Sequence, residues 1–185
     1  MNVKRIFDFF FSIIGLFFLS WLILIVLLIA SIDTRSFGIF TQTRIGQNGK
    51  KFKIFKIKSM LDGNKSISKL GIFLRKSKLD ELPQLFNIFL GHMSFVGPRP
   101  DIAGYYNNLK GEERLILKLK PGLTSEASLK YFDEEALLQQ QKNPQEYNDT
   151  VIFPDKVKLN LHYYFHHSLL GDLKIIHKTL LRYIP

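Results

Sequence analysis

The chain has 185 residues, 46% of them hydrophobic, and its 26 Lys and Arg against 16 Asp and Glu give a formal charge of +10. That length leaves room for one modest globular unit beside an apolar segment, and the charge suits nucleic acid, an anionic membrane or a phosphate-rich substrate alike. The absence of cysteine excludes disulfides, thiolate metal sites and a cysteine nucleophile, and leaves the compartment open.

From Ile6 to Ile32 the chain is almost wholly apolar, with Asp8 its only charge. At about 1.5 Å rise per residue a helix of this run matches or exceeds a hydrocarbon core of about 30 Å, which favours membrane over nucleic acid. A signal peptide cleaved near Ala30 is the alternative, although the apolar core of such peptides usually has only about 7–15 residues. Basic residues flank the run on both sides: Lys4 and Arg5 before it, then Arg35, Arg44, Lys50, Lys51, Lys53, Lys56 and Lys58. A plain span puts one basic flank outside, whereas a bend that returns both ends to the cytoplasmic face relieves the conflict. Gly15, Ser20 and Ser31 are where a bend can sit, and the Ser20 hydroxyl can take up a backbone group freed by it. An ordinary spanning helix stays open.

Beyond the apolar run, Ile39–Arg44 and Phe52–Ile57 read as strands around Gly46-Gln47-Asn48-Gly49, because apolar and polar residues alternate in the second segment. A polar stretch from Leu61 to Lys69 follows, and helical patterning returns over Leu70–Lys76 and Glu81–Phe89. Pro98 and Pro100 make Gly91–Pro100 a rigid loop. Leu109–Lys120 and Ser168–Tyr183 carry helical apolar spacing, the latter with Leu169, Leu173, Ile176, Leu180 and Tyr183 on one side. Such basic amphipathic helices can lie among lipid headgroups or pack into a core.

Asp80 and Glu81 stand near the expected start of a helix with Pro83 in its first turn, since a proline further inside is costly. A helix N-terminus favours phosphate as well as carboxylates, and a plain N-cap role for Asp80 is the bland alternative. Arg75 and Arg99 can each fork onto phosphate oxygens, or simply be solvated surface residues. His162, His166 and His167 can present two imidazoles on one face, with no third convergent metal ligand evident. Nucleic-acid binding through Lys50–Lys58 is not expected, because the cluster follows a membrane helix and lacks a reading module.

Three segments follow one another in a set order: Lys56-Ile57-Lys58-Ser59-Met60, Leu79-Asp80-Glu81-Leu82-Pro83-Gln84-Leu85-Phe86-Asn87, and Gly91-His92-Met93-Ser94-Phe95-Val96-Gly97-Pro98-Arg99-Pro100. Together they closely resemble the small monotopic phosphoglycosyl transferases, bacterial sugar transferases that start glycan assembly. The resemblance runs from Lys4-Arg5-Ile6-Phe7-Asp8 through Lys120-Pro121-Gly122 to Ser168-Leu169-Leu170-Gly171-Asp172-Leu173-Lys174. It implies transfer of a phosphosugar from a UDP-sugar to polyprenol (undecaprenyl) phosphate with release of UMP, at the cytoplasmic face of the bacterial inner membrane. By the same resemblance Asp80 is the nucleophile, Glu81 a Mg²⁺ ligand, Lys56, Arg75 and Arg99 phosphate-binding cations, and Ser20 the break of a re-entrant helix.

Two departures stand out. Ser20-Trp21 replaces the family's Ser-Pro, and Phe132 falls where many members carry an arginine, which removes a fixed cation unless Lys130 or another base substitutes; a different sugar, weakened activity or a variant subgroup would each account for it. Asn160 stands where the family commonly has Asp, and reads as structural. The expected fold is helix-rich α/β: a re-entrant membrane helix over 1–35, then a cytoplasmic and interfacial catalytic domain over 36–185 with amphipathic helices and a short hairpin. Expected partners are the UDP-sugar, polyprenol phosphate and anionic lipids, with downstream glycosyltransferases or self-association as further candidates. A catalytically impaired membrane adaptor of the same family is the rival function.

Overall fold

The computed structural model describes residues 3–62 and 66–182. The protein is helix-rich α/β with a long apolar N-terminal helix and two small sheets. Its chain divides into two compact units, residues 1–44 with 51–93, and residues 45–50 with 94–185.

In the first unit, α1 (Val3–Thr34) is one continuous helical run. Its buried residues, Asp8, Ser12, Ile23, Val26, Ala30 and Thr34, are spaced as one stripe, while Phe17 (75%), Trp21 (62%) and Ile32 (79%) stand exposed. Bare aromatic and aliphatic side chains on so long a helix suit lipid better than water. Close packing beneath the stripe uses small residues: Gly15 meets Leu85, where a Cβ would lie 3.2 Å from Cδ1. After Thr34, Arg35 takes a left-handed turn (φ 50°), and the Ser31 hydroxyl donates to Leu27 O while accepting from Gly38 N. That bond brings β1 (Ile39–Ile45) back along the end of the helix.

The expected hairpin is present, β1 pairing with β2 (Lys51–Ile57). Asn48 (φ 58°) and Gly49 (φ 74°) supply the left-handed backbone at its tip. A core of Val26, Ala30, Ile57 and Leu74 joins α1, β2 and α2 (Lys69–Lys76), whose N-cap Ser68 accepts from Gly71 N at 2.9 Å. The expected single helix over Glu81–Phe89 is instead a 3₁₀ turn, Leu79–Glu81, followed by α3 (Gln84–Phe89) with Pro83 as N-cap. Pro83 has no N–H to donate to Leu79 O, so bonding tightens to Leu82 N→Leu79 O and Phe86 N→Pro83 O.

The second unit contains β3 (Ser94–Val96) and β4 (Gly122–Thr124), a parallel pair with Ser94 opposite Gly122 and Val96 opposite Thr124. Strand β3 lies in the stretch expected as a rigid loop and β4 in one to which the sequence pattern assigns no element, because three-residue strands carry no readable period. The stretch Leu109–Lys120, expected as a helix, is 3₁₀ over Gly111–Lys118. Three short helices follow: α4 (Glu126–Lys130), α5 (Glu134–Gln139) and α6 (Pro144–Tyr147). A π turn at Asn148–Ile152 links α6 to α7 (Phe153–His166). One core gathers Ile45, Tyr106, Leu109, Ile116, Leu117 and Val157, and another Val96, Tyr163 and Ile175. The last helix, α8 (Leu169–Arg182), buries Asp172 and Ile175, not Leu169, Leu173 and Leu180, which remain exposed. Tyr183, assigned by spacing to the same stripe, lies outside the described residues.

Candidate active site

Lys78 has φ 58°, a left-handed residue that ends α2 and starts the 3₁₀ turn. Glu81 N donates to Lys78 O at 3.0 Å, so the turn is tight and its two carboxylates are carried by consecutive residues. Both are buried, Asp80 at 6% and Glu81 at 7% exposure. Burial of a carboxylate needs compensation, and Glu81 receives it from Lys56 on β2, whose Nζ donates to Oε1 at 2.9 Å.

Asp80 is different. Among the described residues its Oδ1 is buried without a hydrogen-bond partner. Desolvation, followed by repulsion from Glu81, raises its pKa above the ordinary 3.8, while Lys56, Lys78 and Arg75 each pull it down. Asp80 is not the N-cap of either element here: that of the 3₁₀ turn is Lys78 and that of α3 is Pro83.

Of the cations expected at this site, Lys56 touches Glu81, and Arg75 acts on the Asp80 charge while its Nε donates to Ser59 Oγ at 3.0 Å. Lys78 joins them, unforeseen in the sequence, where only its position two residues before Asp80 hinted at it. Arg99 belongs to the second unit, in the loop after β3. That loop is built by two glycines in close approach. A Cβ on Gly97 would collide with Lys120 O and one on Gly122 with Gly97 N, while Gly122 N donates to Pro98 O at 2.8 Å. The Gly-Pro-Arg-Pro and Lys-Pro-Gly segments are thus one structure.

Two adjacent carboxylates, one with an unengaged buried oxygen, form a donor set that suits Mg²⁺. That ion takes one or two carboxylates and completes its shell with water and substrate phosphate. A cage of three or more His, Cys, Asp or Glu does not assemble among the described residues.

The site thus sets two buried carboxylates among the cations Lys56, Lys78 and Arg75. The family model for bacterial sugar transferases matches residues 1–185. This chain belongs to the bacterial sugar transferase family. The transferase is 38% identical over 124 residues to a Bacillus subtilis protein named a putative undecaprenyl-phosphate N-acetylgalactosaminyl 1-phosphate transferase, covering 60% of this chain and 69% of that one. It is 32% identical over 198 residues to a Klebsiella pneumoniae UDP-glucose:undecaprenyl-phosphate glucose-1-phosphate transferase, and 34% over 160 residues to its Escherichia coli (strain K12) namesake. These matches cover 98% and 78% of this chain but 40% and 32% of the two relatives, which are much longer.

At the departures from the family pattern, the transferase has its own arrangement. Lys130 is occupied by Asp155 (2.7 Å), whereas the Arg182 guanidinium carbon lies 4.9 Å from the centroid of the Phe132 ring. Asn160 is buried and donates to Tyr106 OH at 2.8 Å, as a structural residue does. The His162 and His166 rings stack, their centroids 4.3 Å apart.

Proposed function

We propose that the transferase moves a sugar 1-phosphate from a UDP-sugar to polyprenol phosphate through a covalent Asp80 intermediate. The observation that carries this reading is the buried Asp80 carboxyl, its Oδ1 held by no donor, beside a Glu81 carboxylate paired with Lys56. An oxygen so placed keeps its lone pairs available to phosphorus. An Asp80 carboxylate oxygen attacks the sugar-linked phosphorus, and the P–O bond to the uridylyl phosphate breaks, so UMP leaves with the electron pair. An oxygen of polyprenol phosphate then attacks the same phosphorus, breaking the acyl P–O bond and restoring the carboxylate. Lys56 and Arg75 bind phosphate oxygens and favour the charge that builds on them; for Arg99 the same role rests on the family resemblance of its Gly-Pro-Arg-Pro motif. With Glu81 as its ligand, bound Mg²⁺ would offset repulsion between the carboxylates and the diphosphate.

Residues 1–35 form the membrane-embedded part in this reading and 36–185 the cytoplasmic and interfacial part. Support for re-entry comes from where α1 is anchored. Near its start, Arg5 donates to Ile88 O (2.6 Å) and Phe89 O (2.7 Å) of α3; near its end, Ala30 packs with Ile57 of β2 and Leu74 of α2. The elements α3 and β2 are themselves hydrogen-bonded through Asn87. Both ends of α1 thus hold one folded structure, which a helix crossing about 30 Å of hydrocarbon would divide between two faces. The Ser20 hydroxyl, donating to Phe17 O at 3.1 Å, is a local means of bending. Exposed Leu170, Leu173, Leu180 and Leu181 on α8, with Lys174, Lys178 and Arg182, suit anionic headgroups.

The test uses the full chain in lipid nanodiscs with a radiolabelled UDP-sugar and Mg²⁺. A labelled protein adduct accumulates when polyprenol phosphate is withheld, and is discharged when it is added. Full UMP release by Asp80→Asn refutes the mechanism, and no UMP release from any UDP-sugar leaves the membrane-adaptor alternative.

A further inference from the structure

Helix α3 has six residues, far below the roughly 12 at which an isolated helix becomes even marginal, so tertiary contacts must decide where it lies. Among the described residues, one side chain hydrogen-bonds it to β2. Asn87 is fully buried, its Nδ2 donating to Lys53 O at 2.7 Å and its Oδ1 accepting from Phe55 N at 3.0 Å. The reversed amide would set donor against donor and acceptor against acceptor, so these partners fix its orientation. Asn87 therefore pairs with the free edge of β2 as one peptide unit of a third strand would.

Bonds to Lys53 and Phe55 define a register, and the next residue along β2 is Lys56, whose Nζ reaches Glu81 Oε1 at 2.9 Å. A two-residue slip, the smallest that keeps each side chain on its face, displaces Lys56 by about 7 Å. Ile54 or Lys58 would then stand in its place. A second polar hold on α3, Arg5 to Ile88 O and Phe89 O, ties it to α1 and leaves the register of β2 unspecified.

We infer that Asn87 is a positioning residue, whose amide sets the register of β2 on the Leu79–Phe89 segment and so delivers Lys56 to Glu81 beside Asp80. It touches no reacting group and acts through Lys56. Its catalytic consequence rests on the function proposed above; the positioning itself does not.

The experiment uses the full chain in nanodiscs and reads two quantities in Asn87→Leu and Asn87→Asp. One is the rate of lysine acylation by acetic anhydride, resolved by residue with mass spectrometry. Lys156 is the internal reference, since it is ion-paired with Glu134 and, at 19%, as exposed as Lys56. The other is steady-state UMP release. Asn87→Leu raises Lys56 acylation roughly tenfold with Lys156 unchanged, the weight of one charge-assisted hydrogen bond. It lowers kcat roughly 10- to 100-fold while KM for the UDP-sugar stays within about threefold. Asn87→Asp keeps the acceptor for Phe55 N–H and loses the donor to Lys53 O; it falls between, and is read alone if the leucine variant does not fold. Unchanged Lys56 acylation, an equal rise at Lys156, or a loss carried by KM alone overturns the inference. A wild-type chain that releases no UMP, with Lys56 acylation still responding to Asn87, overturns the reaction and leaves the positioning standing.

Discussion

Asp80→Asn should abolish turnover and at the same time stabilise the fold. Asp80 is buried with an unpartnered Oδ1, and an ionised group in that setting costs about 1–3 kcal/mol that a neutral one largely avoids. The amide removes the charge but keeps a desolvated oxygen, which places the gain near the lower end, about 1 kcal/mol. For a chain of this size that corresponds to an apparent Tm higher by roughly 2–4 °C. The effect has a definite pH dependence. Because the folded-state pKa is raised by burial and by Glu81, the stability contributed by Asp80 is complete below its ordinary 3.8 and is lost as pH rises through the folded value. The variant's advantage is therefore full at neutral pH and closes as the medium is acidified toward pH 4. Thermal unfolding in detergent with EDTA, at one fixed scan rate, measures both proteins without metal. A lower Tm for Asp80→Asn at neutral pH, or an advantage that does not change on acidification, would refute the argument that Asp80 is held at an energetic cost.

Lys56→Met should reduce kcat by about 10²-fold or more and also lower Tm, because Glu81 loses the cation that compensates its burial; steady-state UMP release and thermal unfolding check the two effects. Trp21→Pro should be tolerated, since the bond lost by the missing N–H at position 21 would run to Phe17 O, which the Ser20 hydroxyl already serves at 3.1 Å. Retained UMP release is the expected result; loss of insertion and activity, with Trp21→Ala unaffected, would count against a bend at Ser20. Gly122→Ala should destabilise by about 2–4 kcal/mol, because its Cβ has no room against Gly97 and neither backbone can yield without breaking the β3–β4 pair. Denaturant unfolding measures this, and a loss within about 0.5 kcal/mol contradicts the close approach.

Much of the fold was legible because its periods are long or its punctuation strong. The 27-residue apolar run from Ile6 to Ile32 admits no other element than a long helix, and the alternation in Phe52–Ile57 beside Gly46–Gly49 makes a hairpin. Misreadings cluster where elements are short. Pro83 is incompatible with a helix interior, and its missing N–H moves the helix start to Gln84 and leaves Asp80 and Glu81 on a 3₁₀ turn. In α8 the apolar spacing is legible, yet the buried face carries Asp172, whose carboxylate accepts from Tyr163 OH, a pairing no periodicity contains.

By itself, then, the sequence determined the long apolar N-terminal helix, the order of the motifs and the adjacency of Asp80 and Glu81, because hydropathy, proline chemistry and adjacency along the chain are local properties. Only the tertiary structure decided what surrounds that pair. Lys56 lies 25 residues from Glu81, and Asn87 32 from Phe55. Whether such groups meet depends on strand register and on which oxygen is left without a donor, and burial and hydrogen bonding between distant segments settle both. The pairing of Lys56 with Glu81 and the unpartnered Oδ1 of Asp80 are properties of packing, not of any one segment.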